Sequence, residues 1–84
     1  MADKVELVVV VNGTPTAVEA NLNAPLGSII GKALEHTGNG GRPPEDWELR
    51  DVAGVPLDLD AKIGTYHFGP ATRLFLNLRA GVGG

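Results

Sequence analysis

The 84-residue sequence contains no cysteine. Disulfides, thiolate metal sites and a cysteine nucleophile are excluded together. Any thioester step must use a partner's thiol, and any thiocarboxylate a sulfur atom added to the chain's own end. Clustered positive charge is missing too. Seven Lys and Arg stand against ten Asp and Glu, for a formal charge of −3, and the basic residues are scattered. The sequence thus carries no electrostatic footprint for nucleic acid or an anionic membrane. No apolar run approaches the roughly 20 residues that span a bilayer. The opening "MADKVELVVVV" has acidic residues around its single lysine and no cleavage site, so it makes a poor signal peptide. These absences point to a cytosolic, cytoplasmic protein. Repeats and low-complexity segments are also lacking.

What is present suits one small ordered domain. The hydrophobic fraction of 43% is ordinary for a globular chain, and chains of this size bury about 60–65% of their unfolded surface. Val5–Val11 and Thr16–Leu22 are extended runs around Asn12-Gly13, the strongest short hairpin signal available. In the second run Val18, Ala20 and Leu22 share a face. The first run is apolar on both faces, with Val5, Leu7, Val9 and Val11 against Val8 and Val10.

The period then changes. Leu26, Ile29, Ile30, Ala33 and Leu34 form one helical stripe, which predicts a helix from about Pro25 to Thr37. Pro25 suits the first turn, and Gly38 suits the left-handed residue beyond the end. Gly27 and Gly31 weaken such a helix by about 1 kcal/mol each, and close approach to a sheet would account for them. Pro43-Pro44 reads as a stiff connector that forbids helix. Trp47–Val52 reads as a strand, Ala53-Gly54 as a turn, Val55–Leu57 as a very short strand and Asp60–Gly64 as one helical turn. Thr72–Arg79 is the clearest strand, with Leu74, Leu76 and Leu78 inward and Arg73, Phe75, Asn77 and Arg79 outward. The order suits an α+β fold with one helix on a mixed sheet of four to five strands. The expected core is Leu7, Val9, Val18, Leu22, Ile29, Ile30, Leu34, Leu49, Leu74, Leu76 and Leu78.

In this order and at this spacing the features resemble the β-grasp fold of ubiquitin and its relatives. An opening hairpin precedes a single helix, Pro43-Pro44 lies ahead of the strand containing Leu49, "AGVPLDLDAKIG" parallels the family's turn, short strand and helical turn, and "LFLNLR" leads toward Gly83-Gly84. The resemblance extends from Val5 to Gly84 and is nearest to the bacterial ubiquitin-like modifiers of ubiquitination-like operons. It divides the chain into a β-grasp domain over residues 1–79 and a flexible tail over 80–84. It also implies partners: an activating enzyme that uses ATP, a conjugating enzyme, a processing peptidase and protein targets, with no cofactor of the chain's own. The departures are specific. Arg50 and Asn77 fall where ubiquitin has patch aliphatics, lysines are limited to Lys4, Lys32 and Lys62, and Val55 sits near the family's best-known chain-forming lysine.

The residue chemistry fits that role. A carboxylate that attacks the α-phosphate of ATP must thread into a closed site, and misplacement by about 1 Å can cost two orders of magnitude in rate. Gly83 and Gly84 have no side chains to obstruct a narrow channel, and the Gly84 carboxylate is the expected reacting group. Arg79 stands where family activating enzymes read the approach to the tail, and its guanidinium can pair bidentately with a carboxylate. Phe75, Val8 and Val10 are expected on the face opposite the helix as a docking patch, with Arg50 and Asn77 as its polar rim. His36 at a helix end, the solitary His67, and the Asp58/Asp60 and Glu45/Asp46 pairs read as solvated surface groups, so no enzyme active site or metal site is expected. Two alternatives share the fold: a sulfur carrier with a C-terminal thiocarboxylate, which "VVNGTPTAVEANLNAPLGSIIGKAL" resembles, and a non-conjugated β-grasp binding domain.

Overall fold

The computed structural model describes residues 3–79. The expected tail, 80–84, lies outside them. Four strands and one helix form in the order β1 (Lys4–Val11), β2 (Thr14–Asn21), α1 (Ser28–His36), β3 (Trp47–Arg50) and β4 (Thr72–Leu78). The sheet order is β2-β1-β4-β3. β1 and β4 pair in parallel at its centre, and both outer pairings are antiparallel. This is the expected α+β, ubiquitin-like architecture.

Local chemistry explains the hairpin. Asn12 and Gly13 both take positive φ, 48° and 87°, the requirement of a two-residue turn whose twist matches the strands it joins. The register that follows sets Val11 against Thr14 and Leu7 against Val18. Leu7, Val9 and Val11 therefore share the inner face with Val18 and Ala20, and all five are buried. α1 lies over β1 and β2 and buries Ile29, Ile30, Ala33 and Leu34. Leu74 and Leu76 from β4, Trp47 and Leu49 from β3, and Leu26 and Ile63 from the connections complete the core.

Several expectations are corrected. The helix starts at Ser28, not Pro25, because Pro25 bridges Lys62 and the preceding turn is built from three-residue bonds such as Ser28 N–H to the Pro25 carbonyl. Pro44 opens a single 3-10 turn, Pro44–Asp46. Proline is tolerated there because a first-turn N–H has no helical partner to lose. Val55–Leu57 forms no strand; Pro56 makes one isolated bridge to Arg50. The later helical turn falls at Ile63–Tyr66, three residues beyond its expected start. Leu22 and Leu78 are only partly buried against the core, since each stands at an end of the sheet. Trp47, Val11, Ala20, Leu26, Ala33 and Ile63 are buried members absent from the expected list.

The helix glycines do not approach the sheet. A Cβ on Gly27 would meet the Leu59 carbonyl oxygen at 3.3 Å, so that glycine accommodates a loop, while one on Gly31 would meet nothing within 4 Å. Gly38, by contrast, takes the left-handed φ of 75° expected beyond the helix end.

Two stability outcomes follow. Leu76 is fully buried, so Leu76→Ala should cost about 2–5 kcal/mol in denaturant unfolding. Gly31→Ala should raise stability by roughly 0.5–1 kcal/mol, because it removes backbone entropy from a helix interior without meeting any neighbour. A loss of stability in the second variant would show that Gly31 supports packing inside the domain.

Candidate functional site

The outer face of the sheet gathers most of the expected docking residues through register alone. Val10 pairs with Phe75 across the central parallel ladder and with Pro15 across the hairpin. Arg50 pairs with Phe75 from the other side. One row therefore reads Pro15, Val10, Phe75, Arg50. The next reads Ala17, Val8, Arg73. Directly opposed side chains in such rows stand about 4.5–5.5 Å apart at Cβ, so Val8, Val10 and Phe75 form one contiguous group. Each is partly buried rather than fully exposed, because central strands are flanked by neighbours on both sides. Asn77 lies two residues beyond Phe75 on the same face and pairs with Glu48.

The charged groups around this apolar centre differ in how freely they can reach a partner. The Arg50 guanidinium donates from Nε to Glu48 Oε1 at 3.0 Å and from Nη1 to the Gly54 carbonyl at 2.8 Å. Its donors are largely committed within the chain. Arg73, beside Val8, makes no ion pair or side-chain hydrogen bond among the described residues. Sequence reading assigned it outward but gave it no part in the patch. The signal available was its phase, two residues before Phe75 on an alternating strand.

Arg79 is held where the last strand ends. Its N–H donates to the Asp46 carbonyl at 2.9 Å, one step beyond the Trp47–Leu78 pair, and its Nε donates to the Trp47 carbonyl at 3.3 Å. The guanidinium is exposed on a groove that also includes Glu48, Asp58 and Asp60. Gly83 and Gly84 lie outside the described residues. Among the residues set aside as surface groups, His36 Nδ1 stands 3.3 Å from Thr16 Oγ1. The Asp58 backbone is clasped by Tyr66, whose hydroxyl accepts from Asp58 N–H at 2.7 Å and donates to the Asp58 carbonyl at 2.9 Å. The larger exposed apolar side chains are elsewhere, Val52 and Val55 in the loop after β3. No helix among the described residues is long and apolar enough to cross a membrane.

Comparison with known proteins defines the class. The chain shares its fold with ubiquitin-like proteins. A de novo design based on ubiquitin superposes with a TM-score of 0.79 at 21% identity, covering 100% of this chain and 99% of the design. The ubiquitin of Caldiarchaeum subterraneum gives 0.74 at 21% identity, covering 96% of this chain and 99% of the ubiquitin. The particular family is set by sequence: residues 1–84 match the model described as "Protein of Unknown function (DUF2604)", and the chain belongs to that family. A relative, the uncharacterized protein y4jI of Sinorhizobium fredii (strain NBRC 101917 / NGR234), is 54% identical over 81 residues, 96% of this chain. Those residues span 62% of the relative's length.

Partial burial makes Phe75 a usable probe. Phe75→Ala should lower stability by about 1–2 kcal/mol, less than Leu76→Ala, and leave a folded domain by circular dichroism. Unfolding of the variant at room temperature would mean that Phe75 supports the sheet instead of standing available to a partner.

Proposed function

We propose that the chain is a ubiquitin-like protein modifier of the cytoplasm, related in role to the bacterial modifiers of ubiquitination-like operons, and is not itself an enzyme. The Gly84 carboxylate attacks the α-phosphorus of ATP in a partner activating enzyme. Pyrophosphate leaves and an acyl adenylate forms. A partner thiolate then displaces AMP to give a thioester, and a nucleophile on the target takes the acyl group and releases the thiol. The observation that supports this reading is the placement of β4. This strand shares the central pairing with β1, is fastened at its end through Arg79, and continues in sequence directly into "AGVGG". Arg79 serves as the group an activating enzyme reads. The face built from Phe75, Val8 and Val10, with Arg50 and Asn77 at its rim, is the docking surface for the activating or conjugating enzyme. A processing peptidase exposes Gly84 wherever further residues follow it.

Intact-mass analysis after incubation with a source-cell lysate and ATP tests the reading. Discrete heavier protein adducts, lost on deletion of Gly83 and Gly84 without a change in melting temperature, are expected. A mass gain equal to exchanging one oxygen for sulfur would instead identify a sulfur carrier, and an unchanged mass a non-conjugated binding domain. Phe75→Ala should reduce transfer to targets at least several-fold while the protein stays folded. Undiminished transfer would remove Phe75 from the docking surface.

A further inference from the structure

Strand alternation sends Lys4, Glu6, Glu19, Glu48, Arg50 and Arg73 to the outer face of the sheet with Phe75. Most of these charges are matched within the chain. Lys4 Nζ lies 3.3 Å from Glu19 Oε1, and Arg50 Nη2 lies 3.0 Å from Glu48 Oε1. Glu6 and Arg73 are left over, and neither makes an ion pair or a side-chain hydrogen bond among the described residues. Arg73 is exposed. It pairs with Val8, and β3 ends at Arg50 opposite Phe75, so no β3 residue flanks Arg73 on its other side. Glu6 pairs with Glu19, one row farther from Phe75. Along the face the order is therefore apolar centre, free cation, free anion.

This order selects a class of partner. The chain carries a formal charge of −3, and one free cation on the face gives a polyanion a single contact against general repulsion. Nucleic acids and anionic membranes are disfavoured on that account. A protein segment can meet both features at once. Its apolar side chain covers Val10 and Phe75, since aromatic residues are common anchors of binding energy. Its carboxylate accepts from Arg73, whose planar guanidinium can hold both carboxylate oxygens and gives up no partner of its own to do so. Strand residues rise about 3.3 Å each, which sets Phe75 and Arg73 roughly 7 Å apart along β4. Acid and anchor on the partner need a matching separation, that of neighbours across a helical turn or of alternate residues on a strand. Glu6 repels an acid placed one row farther out, so it selects against segments with a longer spacing.

We propose that Arg73 sets the specificity of the Phe75 face, which binds a protein segment carrying a large apolar side chain with a carboxylate about 7 Å from it. The inference rests on the reading of that face as a docking surface and is independent of the tail's acyl chemistry. The experiment selects a random peptide library on the immobilised full chain, after depletion on the Phe75→Ala variant. Enriched peptides are then measured by fluorescence anisotropy at fixed pH and ionic strength. They are expected to place Asp or Glu within one helical turn of a Leu, Ile or aromatic residue. Arg73→Gln should weaken their binding about fivefold or more, and replacing the peptide's acid by its amide should weaken binding to the parent by a similar factor. The same peptide change should matter little to the Arg73→Gln variant, and Glu6→Gln should tighten binding. The proposal is overturned if no enriched peptide depends on Phe75, if the enriched peptides lack an acid beside the anchor, or if Arg73→Gln binds like the parent. Absence of adducts in the intact-mass experiment would remove the modifier reading and leave this result standing, so the two failures are distinguishable.

Discussion

The parallel pairing of β1 with β4 is the constraint on which the rest of the structure depends. It joins a strand that starts at Lys4 to one that ends at Leu78, with Val9 set against Leu74 and Val11 against Leu76. Parallel neighbours cannot be joined by a tight turn and need a crossover, and here everything between Val11 and Thr72 serves as one. The middle of the inner row is buried in both strands, at Leu7, Val9 and Val11 and at Leu74 and Leu76, so the central ladder is also the floor of the core. Leu7, Val9, Val11, Leu74 and Leu76 thus hold both ends of the described chain in one core. Local pairing cannot form that core alone, because its two halves are distant in sequence.

The same pairing determines what the opposite face presents. Side chains alternate across a strand, so committing Val9 and Leu74 inward sends Val8, Val10, Arg73 and Phe75 outward. Being central, these residues gain partial cover from Pro15 and Ala17 on one side and Arg50 on the other. An apolar run on both faces of β1 is therefore a property of a central strand, and the outer half of that run becomes a surface. Its charge is uneven. Arg50 is bound into the Glu48 pair and the Gly54 carbonyl, whereas Arg73 has no such partner among the described residues.

Much of this was legible in the sequence wherever periodicity and turn chemistry agreed. Asn12-Gly13 marked the hairpin, Leu26 to Leu34 marked the helix face, and the alternation of Leu74, Leu76 and Leu78 gave the phase of β4. The inward phase also put Phe75 outside, and so placed the candidate face before its neighbours were known. Less was legible where tertiary contacts overrule local pattern. The helix lost its first turn because Pro25 is drawn into a bridge with Lys62, a contact between residues far apart in sequence. Ile63 is buried because its N–H is tied to the Ala24 carbonyl and the next residue's to Leu22, which no periodicity around Ile63 reports. Trp47 could have been placed in the core from its spacing of two from Leu49. That its indole Nε1–H is buried without an acceptor among the described residues could not be read there, since that depends on what surrounds Nε1 in three dimensions.

The edges of the sheet decide how a partner can engage this domain. A strand with free backbone groups invites another strand to add to it, but neither edge is open along its length. In β2, Pro15 has no N–H to offer, and Lys32 Nζ reaches the Glu19 carbonyl at 3.3 Å. Beside β3, Leu57 N–H donates to the Leu49 carbonyl at 2.9 Å and Pro56 bridges Arg50, so the following loop covers that edge. Strand addition is blocked at several points on both sides. On the opposite face of the sheet, α1 lies over β1 and β2. The outer face centred on Phe75 remains, a broad surface whose rows are fixed by register and whose single uncommitted cation, among the described residues on that face, is Arg73. That face thus presents an apolar centre with a free cation beside it.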